Sequence, residues 1–150
     1  MTLSFRKIDI LITKRMQALS IPVMRFSFAV IFVWFGILKP FGLSAAEGLL
    51  KATVKWLPFG SPDMWLPIIG WWEVVIGICF LFQKTTRIAI LLLFLQMVGT
   101  FMPLVFLPEV TFQQHNYLLP TLEGQYIVKN LIIIAAALVL GGSFSKKNEI

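Results

Sequence analysis

The gaps between charged residues constrain this chain more than any other feature. Between Arg87 and Glu109 there is no charge at all. Between Arg15 and Lys39 the only charge is Arg25, between Asp63 and Lys84 it is Glu73, and between Glu123 and Lys146 it is Lys129. A helix crosses a hydrocarbon core with about 20 mostly apolar residues, so each gap accommodates one span. The expected spans are residues 21–38, 64–82, 88–107 and 124–140. The runs within them lack the short alternating segments of a membrane barrel. The expected fold is therefore all-α, an integral membrane four-helix bundle with amphipathic interfacial helices, forming one domain over residues 1–150. Composition agrees: 58% of the 150 residues are hydrophobic and 13% charged, against roughly 45–50% and about 25% in soluble domains. A chain this small cannot bury so much apolar surface in water. A soluble enzyme, a disordered chain and a secreted disulfide scaffold are excluded.

The formal net charge of +6 reads as membrane topology, because the bases cluster beside apolar runs. No basic stripe interleaved with aromatics suits a nucleic-acid groove. Arg6, Lys7, Lys14 and Arg15 precede the first span, Lys84 and Arg87 follow the second, and Lys146 and Lys147 follow the fourth. The connection at residues 108–123 has no lysine or arginine. Both termini are thus expected in the cytoplasm, with the bilayer as the first partner and the two longer connections outside. Trp56, Trp65, Tyr117 and Tyr126 are expected at the outer interface, as an aromatic belt.

Two segments read as amphipathic surface helices. Ser44 and Glu47 have capping-box spacing, and Glu47, Lys51 and Lys55 recur every four residues. Residues 45–57 are expected as a helix on the outer surface. Residues 3–19 mix Ile8, Leu11, Ile12 and Leu19 with four bases. A signal peptide is the rival there. No small-x-small cleavage site follows, so a retained helix on the inner surface is expected. Pro103 and Pro108 predict a kink or early end to the third span, because proline lacks the amide donor.

The candidate site comes from charges inside spans. Each costs about 2.5–3.5 kcal/mol or more at a helix centre, and such groups face the bundle interior and find partners. Glu73 lies about 13 Å below the outer end of its span at ~1.5 Å per residue, and Lys129 about 8 Å below. Lys39 stands at the outer mouth of the first span and Arg25 near its inner end, on nearly the same face. Gly70 and Gly77 flank Glu73 on one stripe, where glycine admits a close neighbouring helix. The third span offers Gln96 and Thr100. A polar cluster of Glu73, Lys129, Gln96 and Lys39 is expected, with two readings open. One is an ion pair of Glu73 with Lys129 or Arg25 that fixes helix registry. The other is a proton relay or ligand site, in which Glu73 passes a proton while Lys129 and Lys39 stabilise negative charge.

Other candidates are weaker. Trp71 and Trp72 precede Glu73; contact with lipid or a helix is the commoner use, and a flat pocket for a ring such as a quinone the alternative. His115 is the only histidine, so neither a Ser-His-Asp set nor a multi-histidine metal site is credible, and no metal is expected. It reads as a polar loop residue. Cys79 is the one cysteine and forms no internal disulfide or redox pair; it reads as a small apolar filler.

Gly36-x-x-Lys39 ending the first span and Gly70-x-x-Glu73 in the second resemble the DoxX-like membrane proteins. So does the run from Thr121 to Asn130, Thr-Leu-Glu-Gly-Gln-Tyr-Ile-Val-Lys-Asn, which leads into an alanine-rich last span. The resemblance covers residues 20–142. It implies a four-helix protein of the bacterial inner membrane. Some relatives are small subunits of thiosulfate:quinone oxidoreductases, others act in redox-stress complexes, and distant eukaryotic ones are chaperones or cargo receptors. Arg25, Lys39 and Glu73 match the family pattern, and Lys129 that of the bacterial subgroup. The first expectation is an accessory subunit handling quinone or another small lipophilic ligand near Glu73. With no intrinsic cofactor, electron transfer needs a bound quinone or a membrane redox partner subunit. The second is a non-enzymatic scaffold or chaperone that binds through small-residue faces and outer loops. Small-solute transport comes third and needs a homo-oligomer.

Overall fold

The computed structural model describes residues 3–55 and 58–143. Trp56, Leu57, Lys146 and Lys147, which enter the expectations above, lie outside them. The described helices are α1 (Leu3–Leu38), α2 (Glu47–Val54), α3 (Pro62–Leu81), α4 (Thr86–Phe101), α5 (Pro103–Phe106), α6 (Pro108–Thr111) and α7 (Leu122–Ser143). Short 3-10 turns occur at Gln83–Thr85 and at Gln113–His115, which places His115 in a connection. Among the described residues four helical stretches are long and apolar enough to cross a membrane: Phe5–Leu38, Pro62–Leu81, Gln83–Phe106 and Leu122–Ser143. The protein is an all-α membrane bundle. Helices satisfy their own backbone polar groups, which lipid cannot do.

One end of the bundle holds the start of α4 and the ends of α3 and α7; we call it the terminal end. The other, the loop end, holds residues 39–55, 58–61 and 107–121. Trp65, Tyr117 and Tyr126 lie at or beside the loop end.

The closest packing is between α1 and α3. A Cβ added to Gly36 would lie 2.8 Å from the Gly70 carbonyl oxygen, and one on Gly70 would lie 2.7 Å from the Gly36 oxygen. A Cβ on Gly77 would lie 2.8 Å from the Val33 amide nitrogen. Lipid is as apolar as leucine, so helix association there depends on van der Waals contact and hydrogen bonds. Glycine lets the two backbones touch. Below this seam Phe28 stacks on Phe80, ring centres 4.6 Å apart. Ile76, Leu93, Met97 and Leu140 complete the buried core from α3, α4 and α7.

The terminal end of α3 is closed by side chains. The last carbonyls of a helix have no intrahelical partner. Arg25 Nε donates to the Phe80 carbonyl at 3.0 Å and its Nη2 to that of Leu81 at 2.7 Å. Thr85 Oγ1 donates to the Cys79 carbonyl at 2.7 Å, and Thr86 Oγ1 to that of Phe82 at 3.0 Å. Arg25 is therefore a cationic C-cap, placed where the helix dipole favours positive charge. Arg25→Ala should lower stability by roughly 1–3 kcal/mol, as two charge-assisted bonds are lost. Arg25→Lys should restore only part of that, because an ammonium lacks the guanidinium fork. Thermal unfolding in lipid discs would measure both; wild-type stability in Arg25→Ala would refute the capping role.

The structure corrects two expectations about the amphipathic segments. Residues 3–19 are not a separate helix: α1 runs unbroken through Pro22. Its 36 residues make about 54 Å of helix, well beyond the ~30 Å hydrocarbon core. The proline removes a single ladder bond, and the first packed residues, Ile21 and Met24, lie on either side of it. Nor does Ser44 form a capping box. Helix α2 begins at Glu47, one residue after its N-cap Ala46. Ser44 is thus two positions too early, and its hydroxyl accepts from the Ala46 amide at 3.3 Å in a local turn.

The expected Glu47–Lys51 pair is present at 2.7 Å. Lys51 also reaches Asp63 in the first turn of α3 at 2.6 Å, tying α2 to α3. The hydrogen bond to Asp63, then that to Glu47, push the Lys51 ammonium from the ordinary 10.5 up to about 12. A raised folded pKa contributes stability below the unfolded value and loses it as pH climbs through the folded one. A spin label at Ala52 should therefore gain mobility between about pH 10.5 and 12. A label unchanged across that window would show that the latch does not hold α2.

The third span breaks as the prolines predict. Helix α4 ends at Phe101, and Pro103 and Pro108 each start a new short helix. Thr121 then locks the connection to α7. Its amide donates to the Thr111 carbonyl at 2.9 Å and its hydroxyl to that of Val110 at 2.7 Å. The same hydroxyl accepts from the Gly124 amide at 3.1 Å, capping α7.

Candidate functional site

Glu73 lies where α1 ends against the middle of α3. A Cβ on Gly36 would meet the Glu73 Cβ at 3.0 Å, and one on Gly70 would meet the Lys39 Cβ at 2.8 Å. Lys39 and Glu73 each follow a seam glycine by three residues. Helical side chains lean back toward the N-terminus of their own helix. On helices meeting antiparallel at those glycines, that lean brings the two side chains together.

Lys39 Nζ forms an ion pair and hydrogen bond with Glu73 Oε2. It also donates to the Phe35 carbonyl at 3.3 Å, so the ammonium sits against the negative end of the α1 dipole. The other carboxylate oxygen, Oε1, accepts from Gln96 Nε2 at 2.9 Å. Thr100 Oγ1 donates to the Gln96 carbonyl at 3.0 Å. One network thus joins α1, α3 and α4. The Lys39 and Glu73 side chains are only 9% and 12% exposed. Among the described residues no buried side-chain nitrogen or oxygen lacks a partner. A paired, hydrogen-bonded ion pair is the form in which apolar surroundings tolerate charge.

Of the cluster read from the sequence, the structure brings together Glu73, Lys39, Gln96 and Thr100. It leaves Lys129 out. Helix α7 buries Gly124 and Ile127, and Lys129, two residues beyond Ile127, points to the other side. There it is exposed, its ammonium 5.2 Å from the centre of the Tyr126 ring, a cation–π contact. The ion pair of Glu73 with Lys129 or Arg25 is likewise not formed: Lys39 is the partner, and Arg25 is engaged at the end of α3. Trp72 is 38% exposed and Trp71 52%, on the outer side of α3. The sequence signal for the true pairing was present in the repeated Gly-x-x-charge spacing of Gly36–Lys39 and Gly70–Glu73. Among the described residues no three His, Cys, Asp or Glu side chains gather as a metal site. A cavity of about 300 Å3 lies elsewhere, between α2 and α5, lined by Ala52, Thr53, Lys55, Phe106 and Leu107.

No curated protein and no solved structure matches the chain. The family model described as DoxX matches residues 20–107. That span holds Arg25, the glycine seam and the whole Lys39–Glu73–Gln96 network, and it stops short of Lys129 and the Thr121–Asn130 run that entered the resemblance. With more than half of its length matched, and four apolar helices in the order that the sequence implied, the chain belongs to the DoxX family of membrane proteins.

Proposed function

We propose that this protein is a non-catalytic membrane subunit. Its buried charges hold the helices in register, and its lipid-facing helices meet a partner membrane protein. One observation carries this reading: the network around Glu73 is closed on itself. Both carboxylate oxygens are taken, one by the Lys39 ammonium and the other by the Gln96 amide. A ligand such as a quinone would need donors aimed at its carbonyl oxygens. The Lys39 ammonium is turned onto the Glu73 carboxylate and the Phe35 carbonyl, and the Gln96 amide onto the carboxylate; this arrangement favours a lock over a quinone site, and we derive no step through a quinone. Buried ion pairs add little net stability but can select one helix arrangement over its slipped alternatives.

Mass spectrometry of the full chain extracted in native lipid discs tests the reading. A specific co-purifying membrane protein with no stoichiometric quinone is the expected result. A stoichiometric quinone that disappears in Glu73→Gln, with the protein still folded, would overturn it in favour of a redox subunit.

A further inference from the structure

No described residue packs on the first half of α1. Arg25 marks the level at which α3 ends, and residues 3–24 extend roughly 30 Å beyond it. Every side chain from Phe5 to Ser20 is exposed. These residues are not evenly mixed. Phe5, Ile8, Ile12, Met16 and Leu19 follow one another at intervals of three or four, forming one stripe. Lys7, Lys14 and, further round, Arg6 lie on the far side, with Thr13 and Gln17, while Arg15 borders the stripe. Ile10 and Leu11 are the exceptions, falling among the bases, and Asp9 borders the stripe. Residues 5–19 hold four bases and one acid, Asp9.

The rest of the described chain repeats this sign. Lys84 and Arg87 stand at the same terminal end. The loop end and the helix starts beside it hold the acids Glu47, Asp63, Glu109 and Glu123 with the bases Lys51 and Lys55, Lys51 being engaged by two of the acids. A partner for the arm must therefore be apolar along one line and anionic on both flanks. An anionic phospholipid surface has that chemistry: acyl chains below, phosphates above. A second copy of the same basic arm would bring like charges together.

The arm also has a place to bend. Pro22 offers no amide to the Ala18 carbonyl four residues before it, and packing on α1 begins only at Ile21. We propose that on an anionic bilayer α1 leaves its unbroken course and that residues 5–19 become a membrane-surface arm folded at Pro22. It lays the Phe5, Ile8, Ile12, Met16 and Leu19 stripe into an anionic lipid headgroup layer, with Arg6, Lys7, Lys14 and Arg15 on the phosphates.

The test uses the full chain in lipid discs, with Cys79→Ala and a spin label at Ile12→Cys or Thr13→Cys. In discs of phosphatidylcholine with phosphatidylglycerol, the Ile12 label should become accessible to oxygen and shielded from an aqueous nickel reagent. The Thr13 label should stay in water. Pure phosphatidylcholine, or replacing the four bases by glutamine, should reduce the immersed population at least about tenfold. Pro22→Ala should favour the straight helix and also reduce it. Each variant must unfold at the parent's temperature, so that loss of immersion is not loss of fold. An Ile12 label that stays in water in anionic discs would overturn the proposal. So would immersion indifferent to lipid charge, or dipolar coupling between labels on two copies, which would place a second chain on the stripe.

Discussion

Glu73→Gln should lower the unfolding free energy by about 3–5 kcal/mol, the range for removing one partner of a buried ion pair. The substitution keeps the size and the hydrogen bond that Gln96 can make, yet leaves the Lys39 ammonium, held at the Phe35 carbonyl, without a counter-charge. The mirror variant Lys39→Met should cost a similar amount by stranding the carboxylate. Together, Lys39→Met and Glu73→Leu should come back to within about 1 kcal/mol of the parent or exceed it, because apolar groups of like volume often replace a buried pair without loss. That sign reversal is the signature of a lock. Reversible unfolding in mixed micelles measures all three. Single variants as stable as the parent would contradict the pairing. Lys129→Met is the control. Its ammonium is exposed beside Tyr126, and its loss should change stability by less than about 1 kcal/mol.

The second large effect belongs to the glycine seam. Gly70→Ala places a methyl group 2.7 Å from the Gly36 oxygen and 2.8 Å from the Lys39 Cβ. Neither neighbour is the free end of a flexible side chain, so the helices must separate. Overpacking of this kind costs roughly 1–3 kcal/mol, and Gly70→Leu should exceed that and loosen the Lys39–Glu73 pair as well. Gly36→Ala should behave alike from the other helix. Gly99→Ala is the matched control: nothing lies within 4 Å of its added Cβ, and alanine is the better helix former. It should be neutral or slightly stabilising. The order of the four variants in thermal unfolding decides the matter, and an unchanged melting temperature in Gly70→Leu would mean that α1 and α3 do not touch there.

Much of this was legible in the sequence, for identifiable reasons. The spans were, because lipid thickness sets their length and charges punctuate their ends. The break after Phe101 was, because Pro103 has no amide to give. So was a close-packed stripe at Gly70 and Gly77, although which helix would fill it was not. What stayed hidden was facing. In a soluble helix polarity marks the outside; here both the core side and the lipid side are apolar, so periodicity is faint. Lys129 was therefore as good a partner for Glu73 on paper as Lys39. The course of α1 through Pro22 was hidden too, since a proline forbids one hydrogen bond, not a helix. The start of α2 slipped because Ser44 had a turn to satisfy before the helix began.

The most direct test of the central claim is whether the carboxylate matters once the fold is secured. The full-length Lys39→Met, Glu73→Leu double variant should reach parental abundance in the membrane of a deletion strain and restore that strain's phenotype. A double variant that is abundant and stably folded yet restores nothing would contradict the account, and would make Glu73 a reacting group rather than half of a lock.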